Sequence, residues 1–88
     1  MSDQDLKTRI KKMMVEHLML RMAPEDIADD AILFSPEGLG FDSIDALELA
    51  VGIEKHFGVA TPSAEVARTA FVSVNTIADY ILKHQKNA

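Results

Sequence analysis

The chain has 88 residues, 48% of them apolar, with no cysteine and a formal net charge of −5. That length supports a single modest core, and the missing thiols exclude disulfides and thiolate metal sites. Its acids are concentrated: from Met22 to Glu54 there is no Lys or Arg, while Glu25, Asp26, Asp29, Asp30, Glu37, Asp42, Asp45, Glu48 and Glu54 all fall there.

Such a surface repels nucleic acid and anionic lipid and attracts basic protein partners, although a solvated face that only aids solubility has the same composition. His17, His56 and His84 lie far apart in sequence, so no metal site is expected. Asp3 and Asp5 precede any apolar run, and no stretch has the length of a membrane span. The expectation is a cytoplasmic protein without leader or membrane segment.

A first helix is predicted from Ser2 or Asp3 to about Met19, with Leu6, Ile10, Met13, Met14 and His17 recurring at helical spacing. Four of the five methionines, Met13, Met14, Met19 and Met22, lie on or just after it and suit a helical core. A long connection follows Pro24. It holds a possible helical turn over Asp26–Leu33, with Ile27, Ile32, Leu33, Phe34 and Leu39 available to pin it.

The second helix is predicted from Ser43 to His56 or Phe57, with Asp42 as N-cap and Gly58 just past its end. Ala46, Leu49, Ala50, Ile53 and Phe57 share a core-facing arc, while Ile44, Leu47 and Val51 form a second apolar stripe. One apolar face holds a helix in a bundle, so the second stripe either meets a partner or is covered by the long loop. Gly52 costs roughly 1 kcal/mol against alanine in a helix interior, and the sequence offers no reason for it.

Thr61 and Pro62 predict a short helix over Pro62–Arg68, capped by Thr61. Ser73 is placed to cap a last helix that buries Val74, Ile77, Ala78 and Ile81, ends near His84 and leaves Gln85–Ala88 to fray. No segment alternates as a strand. The predicted fold is all-α: a four-helix bundle with a long first loop and a short third helix, one domain over residues 1–88 with an ordered core of about 3–84.

Ser43 stands where a Gly-containing loop turns into the amphipathic second helix. A hydroxyl there faces free backbone N–H groups and the positive end of the helix dipole, a favourable place for a phosphate ester. Ser and Asp are also ordinary helix-opening residues. The run Leu39-Gly40-Phe41-Asp42-Ser43-Ile44-Asp45-Ala46-Leu47-Glu48-Leu49 resembles the modification site of the acyl carrier protein family. The likeness extends to Leu6–Met14, to Asp30–Gly40 and to Val74–Ile81; Ala60–Ser73 matches poorly.

The resemblance implies that a phosphopantetheinyl transferase attaches 4′-phosphopantetheine to Ser43, with Asp42 as flanking motif residue. It further implies that Ile44, Asp45, Leu47, Glu48, Val51 and Glu54 meet acyl-transferring and condensing enzymes that bear basic docking patches. By the same resemblance the chain is a monomeric carrier, not an enzyme, with no nucleic-acid or membrane partner. Lys55 and His56 depart from the family's acidic run. Two other readings are an aminoacyl or hydroxyacyl carrier of a specialised pathway, and a helical interaction module whose serine is never modified.

Overall fold

The computed structural model describes residues 3–84, whose regular structure is helical: α1 (Asp3–His17), α2 (Ser43–Phe57), α3 (Ala64–Ala70) and α4 (Val74–His84). A single 3-10 turn, Pro24–Asp26, interrupts the long α1–α2 connection, and no strand occurs among the described residues. The four-helix architecture expected from the periodicity is therefore present. The fraying expected for Gln85–Ala88 lies outside the described residues.

Helix α1 buries Leu6, Ile10, Met13 and Met14 against the other helices. It stops two residues short of the expected Met19, because Met19 takes a left-handed backbone conformation with φ 56°. The Leu20 N–H then donates to the Val15 carbonyl at 3.0 Å, the longer six-to-one hydrogen bond that closes a helix when its C′ residue is left-handed. Glycine is the usual residue in that position. Met19 also stays 84% exposed, so it has no part in the core that Met13 and Met14 fill.

The helical turn expected over Asp26–Leu33 is not there. Pro24 opens the 3-10 turn earlier, and Ile27 leaves the helical region (φ −90°, ψ 115°) to put its side chain into the core. Ile27 and Leu33 do pin the loop, and Phe34 and Leu39 pack partly against the core. Ile32 does not: it is 48% exposed. Its contribution is a carbonyl that accepts from the Leu39 N–H at 2.9 Å as the loop folds back on itself, where Phe41 N–H also donates to Leu33 at 2.8 Å. The approach is so close that a Cβ on Gly38 would lie 1.7 Å from the Ile32 oxygen.

Three contacts tie this loop down. Leu33 N–H donates to the Val72 carbonyl (2.9 Å), Asn75 N–H donates to Asp29 (3.0 Å), and the Lys11 ammonium sits 2.6 Å from the Asp29 carboxylate. Backbone groups of a long connection are thus satisfied around the α3–α4 junction, and a side-chain ion pair ties the loop to α1.

Helix α2 buries Ala46, Leu49, Ala50, Ile53 and Phe57 as the helical spacing predicts, together with Gly52. The reason for Gly52 is tertiary. A Cβ there would come within 2.7 Å of Met13 Sδ and 3.3 Å of the His17 ring, so the glycine lets α1 cross close to α2.

The third helix differs from its predicted bounds, Pro62–Arg68. It begins at Ala64 because Ser63, not Thr61, caps it: Ser63 Oγ accepts from the Val66 N–H at 3.2 Å, while Thr61 Oγ1 has no hydrogen-bond partner. It continues to Ala70, burying Ala67 and delivering the fully buried Phe71. Ser73 precedes α4 as expected, with Ser73 N–H donating to Thr76 Oγ1 (3.0 Å) and Thr76 N–H to Ser73 Oγ (3.4 Å). Val74, Ile77, Ala78 and Ile81 are buried along α4.

Because Met19 holds a conformation that disfavours a Cβ, Met19→Gly is expected to raise stability by about 0.5–1 kcal/mol, a melting-temperature gain of several degrees in a domain of this size. Thermal denaturation followed by circular dichroism measures it; a lower melting temperature would mean that the left-handed closure carries no strain.

Candidate functional site

The junction at Asp42 is a reciprocal cap. One carboxylate oxygen of Asp42, Oδ1, accepts from the N–H groups of Ile44 (3.0 Å) and Asp45 (3.1 Å). Asp45 Oδ2 reaches back to accept the Asp42 N–H at 3.0 Å. This arrangement occupies two of the amides that a helix N-terminus leaves open. It also corrects the expectation that a group on Ser43 meets several free N–H donors. Of the first three helical amides, only that of Ser43 has no hydrogen bond to a described residue.

Ser43 itself is the first residue of α2 and its side chain is exposed. It lines a shallow open groove of roughly 550 Å³ together with Phe34, Pro36, Gly40, Phe41, Asp42 and Arg68. Phe34 and Phe41 form an edge-to-face pair with ring centroids 5.9 Å apart, and Phe41 is buried. The floor of the groove is therefore continuous with the core. Gly40, which turns the chain into Phe41, has φ 69°, a conformation natural to glycine.

The second apolar stripe of α2 lies in solvent: Ile44 is 69%, Leu47 54% and Val51 42% exposed. The long loop does not cover Leu47 or Val51, which removes that explanation for the stripe. Asp42, Glu48 and Glu54 are exposed beside it, and Asp45 is half-buried by its capping role. Glu48 is not alone. The His17 Nε2 of α1 lies 3.2 Å from Glu48 Oε1, without the alignment of a hydrogen bond. Lys55 and His56 are exposed at the far end of the same helix.

The sequence reading assembled Asp42, Ser43, Ile44, Asp45, Leu47, Glu48, Val51 and Glu54 at α2; Asp42 caps the helix and the other seven lie along it. It missed Arg68, which comes from α3, and the Phe34–Phe41 wall. Neither carries a sequence signal of its own, because both depend on how the loop and α3 pack against the start of α2.

A family model described as "Phosphopantetheine attachment site" matches residues 8–81. An acyl carrier protein of Zymomonas mobilis is 35% identical over 81 residues, which span 92% of this chain and 96% of that protein. Acyl carrier proteins of a Bradyrhizobium species and of Nitrobacter hamburgensis are each 33% identical over 84 residues, 96% of this chain and 95% of theirs. The chain belongs to the acyl carrier protein family, whose prosthetic group is 4′-phosphopantetheine and whose members are carriers, not catalysts. Family membership implies a phosphopantetheinyl transferase and enzymes of synthesis as partners in general. No helix among the described residues is long and apolar enough to cross a membrane.

The cap has a measurable weight. Asp42→Ala removes the acceptor for two amides and is expected to cost about 1 kcal/mol of stability. Urea unfolding of the variant reads this; an unchanged midpoint would show that the loop, not the carboxylate, starts α2.

Proposed function

We propose that this chain carries acyl intermediates as thioesters on a 4′-phosphopantetheine arm attached to Ser43, delivering them to partner enzymes of fatty-acid or polyketide-type synthesis. Residues 3–84 act as one carrier unit in this reading, in the cytoplasm, where a terminal thiol stays reduced. The observation that carries it is the exposed Ser43 hydroxyl at the first position of a 15-residue helix, between two capping aspartates, in a chain of this family.

The residues fit the group. Ser43 Oγ is open to an incoming coenzyme A, and its own N–H and the helix dipole favour a phosphate ester there. In the attachment step a bond forms from Ser43 Oγ to the pantetheine-bearing phosphorus. The phosphorus–oxygen bond to the adenosine bisphosphate portion breaks, and the hydroxyl proton passes to the transferase. Once bound, the arm supplies a thiol on which acyl groups are held as thioesters. The chain's own residues contribute placement and recognition.

Recognition falls to α2. Ile44, Leu47 and Val51 form an apolar centre, and Asp42, Asp45, Glu48 and Glu54 form its acidic surround. Partners that fit are enzymes with basic docking patches around a small apolar depression. Complementary charge speeds such encounters, and a small apolar contact keeps them short-lived.

Incubation with coenzyme A and a broad-specificity transferase, read by intact mass, is expected to add one arm to the wild-type chain and none to Ser43→Ala. An arm on Ser43→Ala would overturn the assignment.

Leu47→Ser and Glu54→Lys are each expected to slow arm attachment or acyl transfer by about tenfold, roughly 1.4 kcal/mol, with stability held within about 0.5 kcal/mol. Ala50→Asp, one turn round the same helix but buried, should instead lose folded protein. Kinetics alongside thermal melts separate the two faces, and equal thermal losses in all three would refute the docking role.

A further inference from the structure

The groove beside Ser43 contains a charge that the established family role does not use. Arg68, in the last turn of α3, lines it together with Asp42 and Ser43. It is exposed and makes no hydrogen bond or ion pair with any described residue. Its placement is enforced by its neighbours. Ala67 and Phe71 are fully buried, so the rotation of α3 is set by the core and the residue after Ala67 is turned toward the rim of the groove.

The electrostatics around Ser43 give that cation a task. No Lys or Arg occurs from Met22 to Glu54, and two carboxylates, Asp42 and Asp45, flank the serine. The amides that would ordinarily receive an anion at a helix start are taken: Ile44 and Asp45 both donate to Asp42. A phosphodiester on Ser43 therefore adds negative charge beside two carboxylates, with a single free N–H to receive it. Among the described residues, Arg68 is the one cation lining the groove where that charge would lie.

We propose that Arg68 is a positioning residue for the arm: its guanidinium pairs with the phosphodiester on Ser43. The first atoms of the arm are thereby held in the groove against Phe34, Pro36 and Phe41, away from the exposed stripe of α2. This rests on Ser43 being the attachment point. An exposed guanidinium–phosphate pair is screened by salt and open to competition. A partner bringing its own cations to the phosphate displaces Arg68 and frees the arm, so the clamp holds only while the carrier is undocked.

The test is a thermodynamic cycle on the full chain: wild type, Arg68→Gln and Arg68→Lys, each without and with the arm, the loading verified by intact mass. At low salt, the arm is expected to lower the melting temperature of Arg68→Gln by about 2–4 °C while leaving the wild type within about 1 °C. Arg68→Lys should fall between, since an ammonium lacks the paired donors of guanidinium. The phosphorus resonance of the loaded wild type should move as salt is raised, and that of Arg68→Gln should not. If Arg68→Gln shifts both forms equally and the phosphorus resonances coincide, the arm does not meet Arg68 and the proposal is overturned, with Ser43 untouched as attachment site. If the wild type accepts no arm, the attachment reading falls, and this one with it.

Discussion

The Asp42 carboxylate, bonded to two backbone amides in the first turn of α2, is the contact on which the geometry of the site depends. It ends a long irregular connection and starts a 15-residue helix at a defined residue. From Ser43 onward, the 100° step of the helix relates the orientations of its side chains to one another. Ala46, Leu49, Ala50, Ile53 and Phe57 turn inward, and Ile44, Leu47 and Val51 turn outward. A start displaced by one residue would leave the core arc intact, because packing fixes that arc. It would, however, change which side chain stands at the mouth of the groove. Local capping and global packing thus have to agree at one residue, and at Ser43 they do.

The acidic stretch behaves differently in the fold than along the chain. No Lys or Arg lies within it in sequence, but folding brings two in from outside: Lys11 to Asp29, and Arg68 to the groove at Asp42 and Ser43. The Lys11–Asp29 pair ties the loop to α1, while Glu48 stays exposed beside the apolar stripe with the His17 ring near it. The acids that remain in solvent along α2, such as Glu54, are free to meet another protein's cations. Folding thus pairs some of the acids and leaves others open, a division that net charge alone does not describe.

Close approach is the other constraint. Gly52 removes a Cβ where Met13 and His17 press against α2, and Gly38 removes one where the loop doubles back on Ile32. Gly52 lets α1 and α2 pack closely, as a small core requires, and Gly38 lets the exposed loop fold back on its own backbone. The loop is held by fully buried Ile27 and Leu33 and by backbone hydrogen bonds to Val72 and Asn75, so it presents Phe41 and Asp42 from a fixed base.

By itself the sequence determined the four helices, the core arcs of α2 and α4, the Asp42 cap and the identity of Ser43 as the residue at the helix start. These are legible because periodicity, capping and glycine placement act over a few residues, and the chain order carries them directly. It did not determine the left-handed Met19, the capping of α3 by Ser63, or the exposure of Ile32. Each of these was decided by competition among neighbours for core space and hydrogen-bond partners. The reason for Gly52, the open stripe of α2 and the placement of Arg68 on the groove beside Ser43 belong to tertiary structure alone. Each depends on how one element crosses another, and residues that far apart in the chain share no local pattern by which their contact could be read.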